Sequence, residues 1–432
     1  MTRQPGLVLS MIMLAVVAAA VAVAPSAHAA LGLRPTPDQT WMTNGNVYAQ
    51  ALSADKKTLY IGGEFTQLRK NPVGQGGKVF KVNNVAAIDV ATGTPIRKWH
   101  PSVNNGNAAT EVRALAVMNR RVYIGGTFNA VNGQPRRNLA AVDVNIGKVS
   151  SFAPTVGDST SAVYTVLPSN SRLYEGPRLY IGGKFQKVNG KRRKNLASFT
   201  LPSGSLNSTW QARASATVRK LMFDSSGGTI FAGGAFTSVT GSDGTTAERR
   251  SLARFNTDSG TVTPWTIPKR AIPSGRIIRH ANPIPVRDFT VTPTRLYAGF
   301  GGPKQNWVVA FRLDDGNFGN LVWRFRLEGN PQSLAISPDR SRLIIGGHFG
   351  INDLDQRVCD DKYLKGLVAV NLDNGAVDCS WIPSLDQAKR PDYDGAWVLT
   401  TVGDHVWVGG GFIGVSGVPQ TNLARFTYAT GG

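Results

Sequence analysis

Chemistry on a protein needs titratable groups gathered in one place, and this sequence supplies mainly cations. Lys and Arg number 48 against 27 Asp and Glu, a net charge of +21. Beyond the apolar amino terminus the histidines are His100, His280, His348 and His405, with no two at metal-ligand spacing. No Gly-x-Ser-x-Gly elbow occurs. Asp353, Asp355, Asp360 and Asp361 crowd one stretch but lack the ligand order and closing Glu of an EF-hand loop. No catalytic set, metal site or cofactor is therefore expected. The cations come in groups: Arg69, Lys70, Lys78 and Lys81; Arg136 and Arg137; Lys187 and Lys191 to Lys194; Arg249 and Arg250; Lys269, Arg270, Arg276 and Arg279. Guanidinium and ammonium groups in such numbers suit carboxylates or phosphates on an anionic partner.

The first four groups follow the same strand of a repeated unit, and the fifth lies in an insertion before a leading strand. Leu59-Tyr-Ile-Gly-Gly63-Glu-Phe65 recurs as Val122-Tyr-Ile-Gly-Gly126-Thr-Phe128 and Leu179-Tyr-Ile-Gly-Gly183-Lys-Phe185. Further copies are Ile230-Phe-Ala-Gly-Gly234-Ala-Phe236, Leu343-Ile-Ile-Gly-Gly347-His-Phe349, Val406-Trp-Val-Gly-Gly410-Gly-Phe412 and the degraded Leu296-Tyr-Ala-Gly-Phe300. The first glycines fall at 62, 125, 182, 233, 299, 346 and 409. Each unit has a leading apolar strand, this glycine strand, a third strand such as Asn138-Leu-Ala-Ala-Val-Asp143, a glycine turn, and an outer strand ending on an aromatic residue. Those residues are Trp99, Phe152, Trp210, Trp265, Trp323 and Trp381. No stretch keeps a 3.6-residue apolar period. Four short strands repeated seven times predict an all-β, seven-bladed β-propeller with four antiparallel strands per blade.

The seventh unit ends without an outer strand. Trp41 stands near the other end, so the segment around Asp38–Met42 is expected to supply it and close the ring. The paired glycines are read as backbone devices, for positive φ or close approach. The aromatic residues are read as packing between blades in preference to sugar stacking.

The units resemble the delta-60 repeat propellers, bacterial secreted proteins of undefined function, through the Tyr-Ile-Gly-Gly-x-Phe, Asn-Leu-Ala, Gly and Trp positions over about residues 41 to 428. The resemblance implies the fold and carries no catalytic residues. Arg3, the apolar run from Leu7 to Ala24 and Ala27-His28-Ala29 read as a secretory signal peptide over residues 1–29, leaving 30–432 as one propeller domain. No later stretch is apolar enough to span a membrane. An extracellular location sets nucleic acid aside as a partner. It also favours a disulfide between the two cysteines, Cys359 and Cys379.

In an antiparallel meander, the connections after the glycine strand and before the leading strand open on one face. That face should be the basic one. Arg136, Arg193 and Arg249 each precede the third strand by two residues, which fits either a structural bond to a neighbouring blade or a binding role. The non-repeated Lys191, Arg192, Lys194, Lys269 and Arg270 are stronger binding candidates. The second position of the leading strand reads Tyr48, Arg113, Tyr164, Arg219, Arg287, Gln332 and Trp397. The leading strand should be innermost, so these residues should ring the channel mouth. Aromatic faces and guanidinium groups there suit an anionic sugar, although inter-blade packing explains them equally. The expected function is a secreted, non-catalytic module whose basic face docks an anionic extracellular or cell-wall polysaccharide. The alternatives are a lyase or hydrolase acting on acidic glycans, and a protein–protein scaffold.

Overall fold

A computed structural model describes residues 32–72, 74–106, 109–170, 176–268, 284–302, 305–314, 316, 319–350, 356–387 and 395–428. Regular structure among these residues is entirely β, with no α-helix. The proposed signal peptide and the Lys269–Arg279 cations lie outside them.

Seven antiparallel meanders follow one another along the chain. Their leading strands are Val47–Leu52, Glu111–Met118, Ala162–Ser169, Val218–Phe223, Val286–Val291, Pro331–Ile336 and Gly395–Val402. Each pairs with its glycine strand, and each glycine strand with a third strand, from Val85–Asp89 in the first sheet to Leu423–Thr427 in the seventh. Outer strands are complete only in the third and fifth sheets, as Ser205–Leu206 and Leu321–Arg326. In the first, second, fourth and sixth sheets the outer segment is held by a single bridge, at Pro95, Val149, Val262 and Val377. Consecutive leading strands pack side by side, and that of the seventh sheet packs on that of the first.

The core lies between sheets. One cluster joins Tyr123 and Leu139 of the second sheet to Val163 and Leu179 of the third. Another joins Val402 and Trp407 of the seventh to Val47 and Leu59 of the first. The first glycine of each pair makes this spacing possible, and the second admits the backbone of its own leading strand. A Cβ on Gly125 would lie 2.7 Å from Val163 Cγ1 of the next sheet, and one on Gly126 would strike the Glu111 carbonyl oxygen. Neither glycine has positive φ. Close approach, and not backbone freedom, is therefore their role. Gly409 meets Val47 in the same way.

The aromatic residues of the outer segments are buried, as packing predicted. Trp99 Nε1 donates to the Asp143 carbonyl (2.9 Å) and Trp323 Nε1 to that of Leu372 (2.9 Å), each on the following sheet. The Asn before the third strand is equally structural. Asn138 adopts φ 63°, its Oδ1 accepts from Phe128 N (3.2 Å) and its Nδ2 donates to Val156 O (2.8 Å). That reach ties one sheet's loop to the connector leading into the next.

The seam between the seventh and first sheets uses the amino-terminal segment, slightly upstream of the expected residues. Leu33 bridges Tyr428 and Asp38 bridges Arg425. Trp41 itself packs towards the first sheet, with its amide donating to Gly93 O (3.3 Å). Trp381 Nε1 donates to Arg34 O (3.1 Å), the part that the next sheet's turn plays elsewhere. Cys359 and Cys379 form a disulfide, with Cα atoms 5.6 Å apart.

Candidate functional site

The seven residues expected at the channel mouth share one backbone feature. Each leading strand carries a register shift, between Val47/Ala49, Val112/Ala114, Val163/Thr165, Val218/Lys220, Val286/Asp288, Pro331/Ser333 and Ala396/Val398. The skipped residue is Tyr48, Arg113, Tyr164, Arg219, Arg287, Gln332 or Trp397. A β-bulge frees one residue from the ladder and re-aims its side chain. Here it turns one side chain per sheet towards its counterparts on neighbouring sheets.

Those side chains form a near-continuous band. The rings of Trp397 and Tyr48 meet edge to face at 5.9 Å. The Arg113 guanidinium lies 3.8 Å above the Tyr48 ring, and that of Arg219 lies 5.6 Å from the Tyr164 ring. Gln332 Nε2 is 3.2 Å from His348 Nδ1, and the His348 ring is 6.1 Å from Trp397. Cation–π contacts of this kind contribute roughly 0.5–2 kcal/mol, more as water is excluded.

The arginines are not equivalent. Arg113 Nε and Nη2 donate to the two oxygens of Glu111, each at 2.9 Å. Burial opposes its charge, but Glu111 outweighs burial and raises its pKa. Arg219 and Arg287 have no carboxylate partner among the described residues. Burial lowers the pKa of Arg219. Burial and then the neighbouring charge of Arg219 bring that of Arg287 down to about 10. Arg287 Nε donates only to Gly301 O (3.1 Å), and Arg219 Nε is buried without a partner.

Residues not singled out in the sequence complete the band. The Tyr48 hydroxyl donates to Glu64 Oε1 (2.8 Å), and Asn46 Nδ2 donates to both groups, at 3.0 and 2.7 Å. Burial, the largest influence, raises the Tyr48 pKa. Glu64 and His348 occupy the same repeat position, the variable residue of Gly-Gly-x-Phe, which was the available signal. At that position the fourth sheet has Ala235, so Arg219 meets no acid from its own sheet.

The connections after the glycine strands form hairpins in several sheets. Lys187–Val188 pairs with Lys191–Arg192, and Ala130–Val131 with Gln134–Pro135. The connectors join them: Val103–Asn104 pairs with Ala130–Val131, and Val156 bridges Val188. Connectors and hairpins therefore share one face, as the meander argument required. Lys70, Lys78, Lys81, Arg137, Lys187, Lys191 and Arg192 are exposed on these hairpins and Lys194 is half-buried. Lys269 and Arg270 lie outside the described residues.

The repeated arginines are structural, with a different partner from the one expected. Arg136 Nη2 donates to Ser150 O (2.8 Å), Arg193 Nη2 to Asn207 O (3.1 Å) and Arg249 Nη2 to Thr263 O (2.9 Å). Each acceptor lies fourteen residues on in the same unit. The fork ties a hairpin to its own outer segment instead of to a neighbouring blade. In the acidic stretch, Asp361 pairs with Arg357, while Asp353 and Asp355 lie outside the described residues. Among the described residues no three His, Cys, Asp or Glu side chains gather.

No protein-family model and no curated protein sequence matches this chain. Among solved structures it is similar to the WD40 β-propeller domain of Doa1, with a TM-score of 0.50 and 10% identity. That match covers 90% of this chain and 96% of the other. The chain thus has a β-propeller fold.

Proposed function

We propose that this is a secreted, non-catalytic binding protein whose basic face docks an anionic extracellular or cell-wall polysaccharide. In this reading residues 1–29 are removed on export, the seven sheets are the seven blades of one closed propeller, and the chain is akin to the delta-60 repeat proteins. Outer edges held by one bridge count as reduced fourth strands.

One observation carries the functional reading. The exposed cations of the hairpins stand largely without acidic partners, whereas many carboxylates serve internal pairs. Asp224 binds Arg254 (2.8 Å) and Asp288 binds Lys220 (3.0 Å). Asp38 binds Arg425 (2.6 Å). In this reading the surplus charge is left on the connector face. The exposed large apolar side chains, Val79, Ile146, Leu321, Tyr363 and Ile413, fall on different sheets, which offers little to a scaffold. Glu64 and Glu111 at the mouth are held by Tyr48 and Arg113, which offers little to an acid–base pair.

The test is retention of the mature chain on immobilised polygalacturonate at low and high salt. Polyanion binding through many exposed cations weakens steeply with salt, because the screening length is about 10 Å at 0.1 M. Retention should fall at high salt and fall further in a Lys191, Arg192 and Lys194 triple alanine variant. Equal retention at both salts would refute the reading.

A further inference from the structure

The band at the channel mouth is lopsided. In sheet order it runs Tyr48, Arg113, Tyr164, Arg219, Arg287, Gln332, Trp397. Trp397 and Tyr48 are neighbours across the seam and touch. Arg219 and Arg287 are neighbours on the fourth and fifth sheets, nearly opposite them around seven positions. Arg113 is neutralised by Glu111, so the free cationic charge of the band resides in Arg219 and Arg287. Both are half-buried beside each other, a repulsive arrangement that an anion relieves. Lys184, exposed and opposite Ala162 in the third sheet, is a further cation two residues from the Tyr164 bulge in register.

We infer that the channel mouth is a discrete subsite for one carboxylated pyranose, with its carboxylate on Arg219 and Arg287 and its ring towards the half-buried Trp397, which the buried Tyr48 backs. This rests on the polyanion-binding reading and narrows it: the hairpin cations hold the chain loosely, and the mouth recognises one acidic sugar. The chemistry follows from the groups present. Paired guanidinium groups offer forked donors that match a planar carboxylate. Aromatic rings present surface to the C–H faces of a sugar ring. Gln332 lies between the two arcs, its Nε2 held 3.2 Å from His348 Nδ1.

The experiment is calorimetric titration of the mature chain with sodium glucuronate, with glucose as the neutral control. Wild type should bind glucuronate and not glucose. An Arg219→Gln/Arg287→Gln variant should lose glucuronate affinity by at least about tenfold, the effect of removing charged hydrogen bonds. The Lys191, Arg192 and Lys194 alanine variant should keep it. Trp397→Ala should weaken it while leaving salt-dependent retention on polygalacturonate intact. Circular dichroism and melting of each variant separate lost binding from lost fold. If Gln variants melt early, Arg219→Lys/Arg287→Lys keeps the charge without the fork and should restore binding only in part. Three results would overturn the inference: glucose binding as well as glucuronate, glucuronate binding unaffected by the folded double variant, or no glucuronate binding by a wild type that still holds polygalacturonate. In the last case the polyanion reading stands; if polygalacturonate also fails, both fall.

Discussion

Asp38 is the best place to test how the propeller closes. Its Oδ2 accepts from Arg425 Nε (2.6 Å) and from Thr427 Oγ1 (2.6 Å), and its amide donates to Arg425 O (2.8 Å). The pair is largely enclosed, with 12% of the Arg425 side chain and 23% of the Asp38 side chain exposed. Asp38→Ala removes both side-chain bonds and leaves the guanidinium with the Val90 and Ala91 carbonyls alone. A charged hydrogen bond in such surroundings contributes about 1.5–3 kcal/mol, so a loss of about 2 kcal/mol is expected. For a cooperative unit of roughly 400 residues, with an unfolding entropy near 2.1 cal/mol/K per residue, this lowers Tm by only about 2–3 °C. Amide exchange is the sharper readout. The amides of Arg34 and Asp38, bound to Thr427 O and Arg425 O, should lose protection about thirtyfold if the seam opens locally. The control is Glu248→Ala, which breaks an ion pair with sides 50% and 55% exposed and should cost well under 1 kcal/mol. If Asp38→Ala and Glu248→Ala behave alike in both assays, the amino-terminal segment does not hold the ring, and the closure argument fails.

Other consequences are direct. Gly125→Val places branched carbon within contact of Val163 and Ala114 and should destabilise by at least 1–3 kcal/mol, read by urea denaturation; an unchanged midpoint would deny the close approach. Arg193→Ala should cost stability through its bond to Asn207 O, whereas Lys191→Ala should leave urea midpoints within about 0.5 kcal/mol of wild type. Reducing the Cys359–Cys379 bond, which spans 20 residues, should lower stability by about 3 kcal/mol in the chain-entropy account, seen as an earlier melt in reductant. Burial and then Arg425 hold the His405 pKa below its usual 6.5, so the folded state keeps the ring neutral while the unfolded chain takes up the proton. Stability present above pH 6.5 is therefore lost as the pH falls towards the folded pKa, and His405→Gln should show a shallower fall in Tm between pH 7.5 and 5.5.

Much of the fold is legible in the sequence because each interface between sheets is built the same way. The first glycine, the Asn before the third strand and the outer Trp recur since each touches the next sheet, and the second glycine recurs since it packs on the backbone at the start of its own leading strand. The outer strands are less legible: an ending aromatic marks where the segment packs, not how much of it pairs, and Pro95 limits pairing in the first sheet. The hairpins had a readable signature. Val131-Asn-Gly-Gln134 and Val188-Asn-Gly-Lys191 contain the Asn-Gly pair of a type I′ turn, and both residues have positive φ in each case. Glu64 and His348 were marked only as the variable residue of Gly-Gly-x-Phe, and their contacts with the band depend on a bulge that shifts register by one residue.

That bulge explains why the site residues vary where their neighbours do not. Residues between sheets each see one interface, and all such interfaces are alike. Side chains at the mouth share a single space. Seven identical side chains there would offer seven equivalent poses to any one sugar and distinguish none of its edges. Val47, Val112, Val163, Val218 and Val286 precede the bulge almost unchanged, yet the residue after each is Tyr, Arg, Tyr, Arg and Arg. The change occurs at the one leading-strand position that the ladder releases. Packing alone would favour one repeated solution at that position, as it does one residue earlier. A band divided into an aromatic arc and an uncompensated cationic arc is what an asymmetric, singly charged ligand requires of a scaffold whose repeats are otherwise the same.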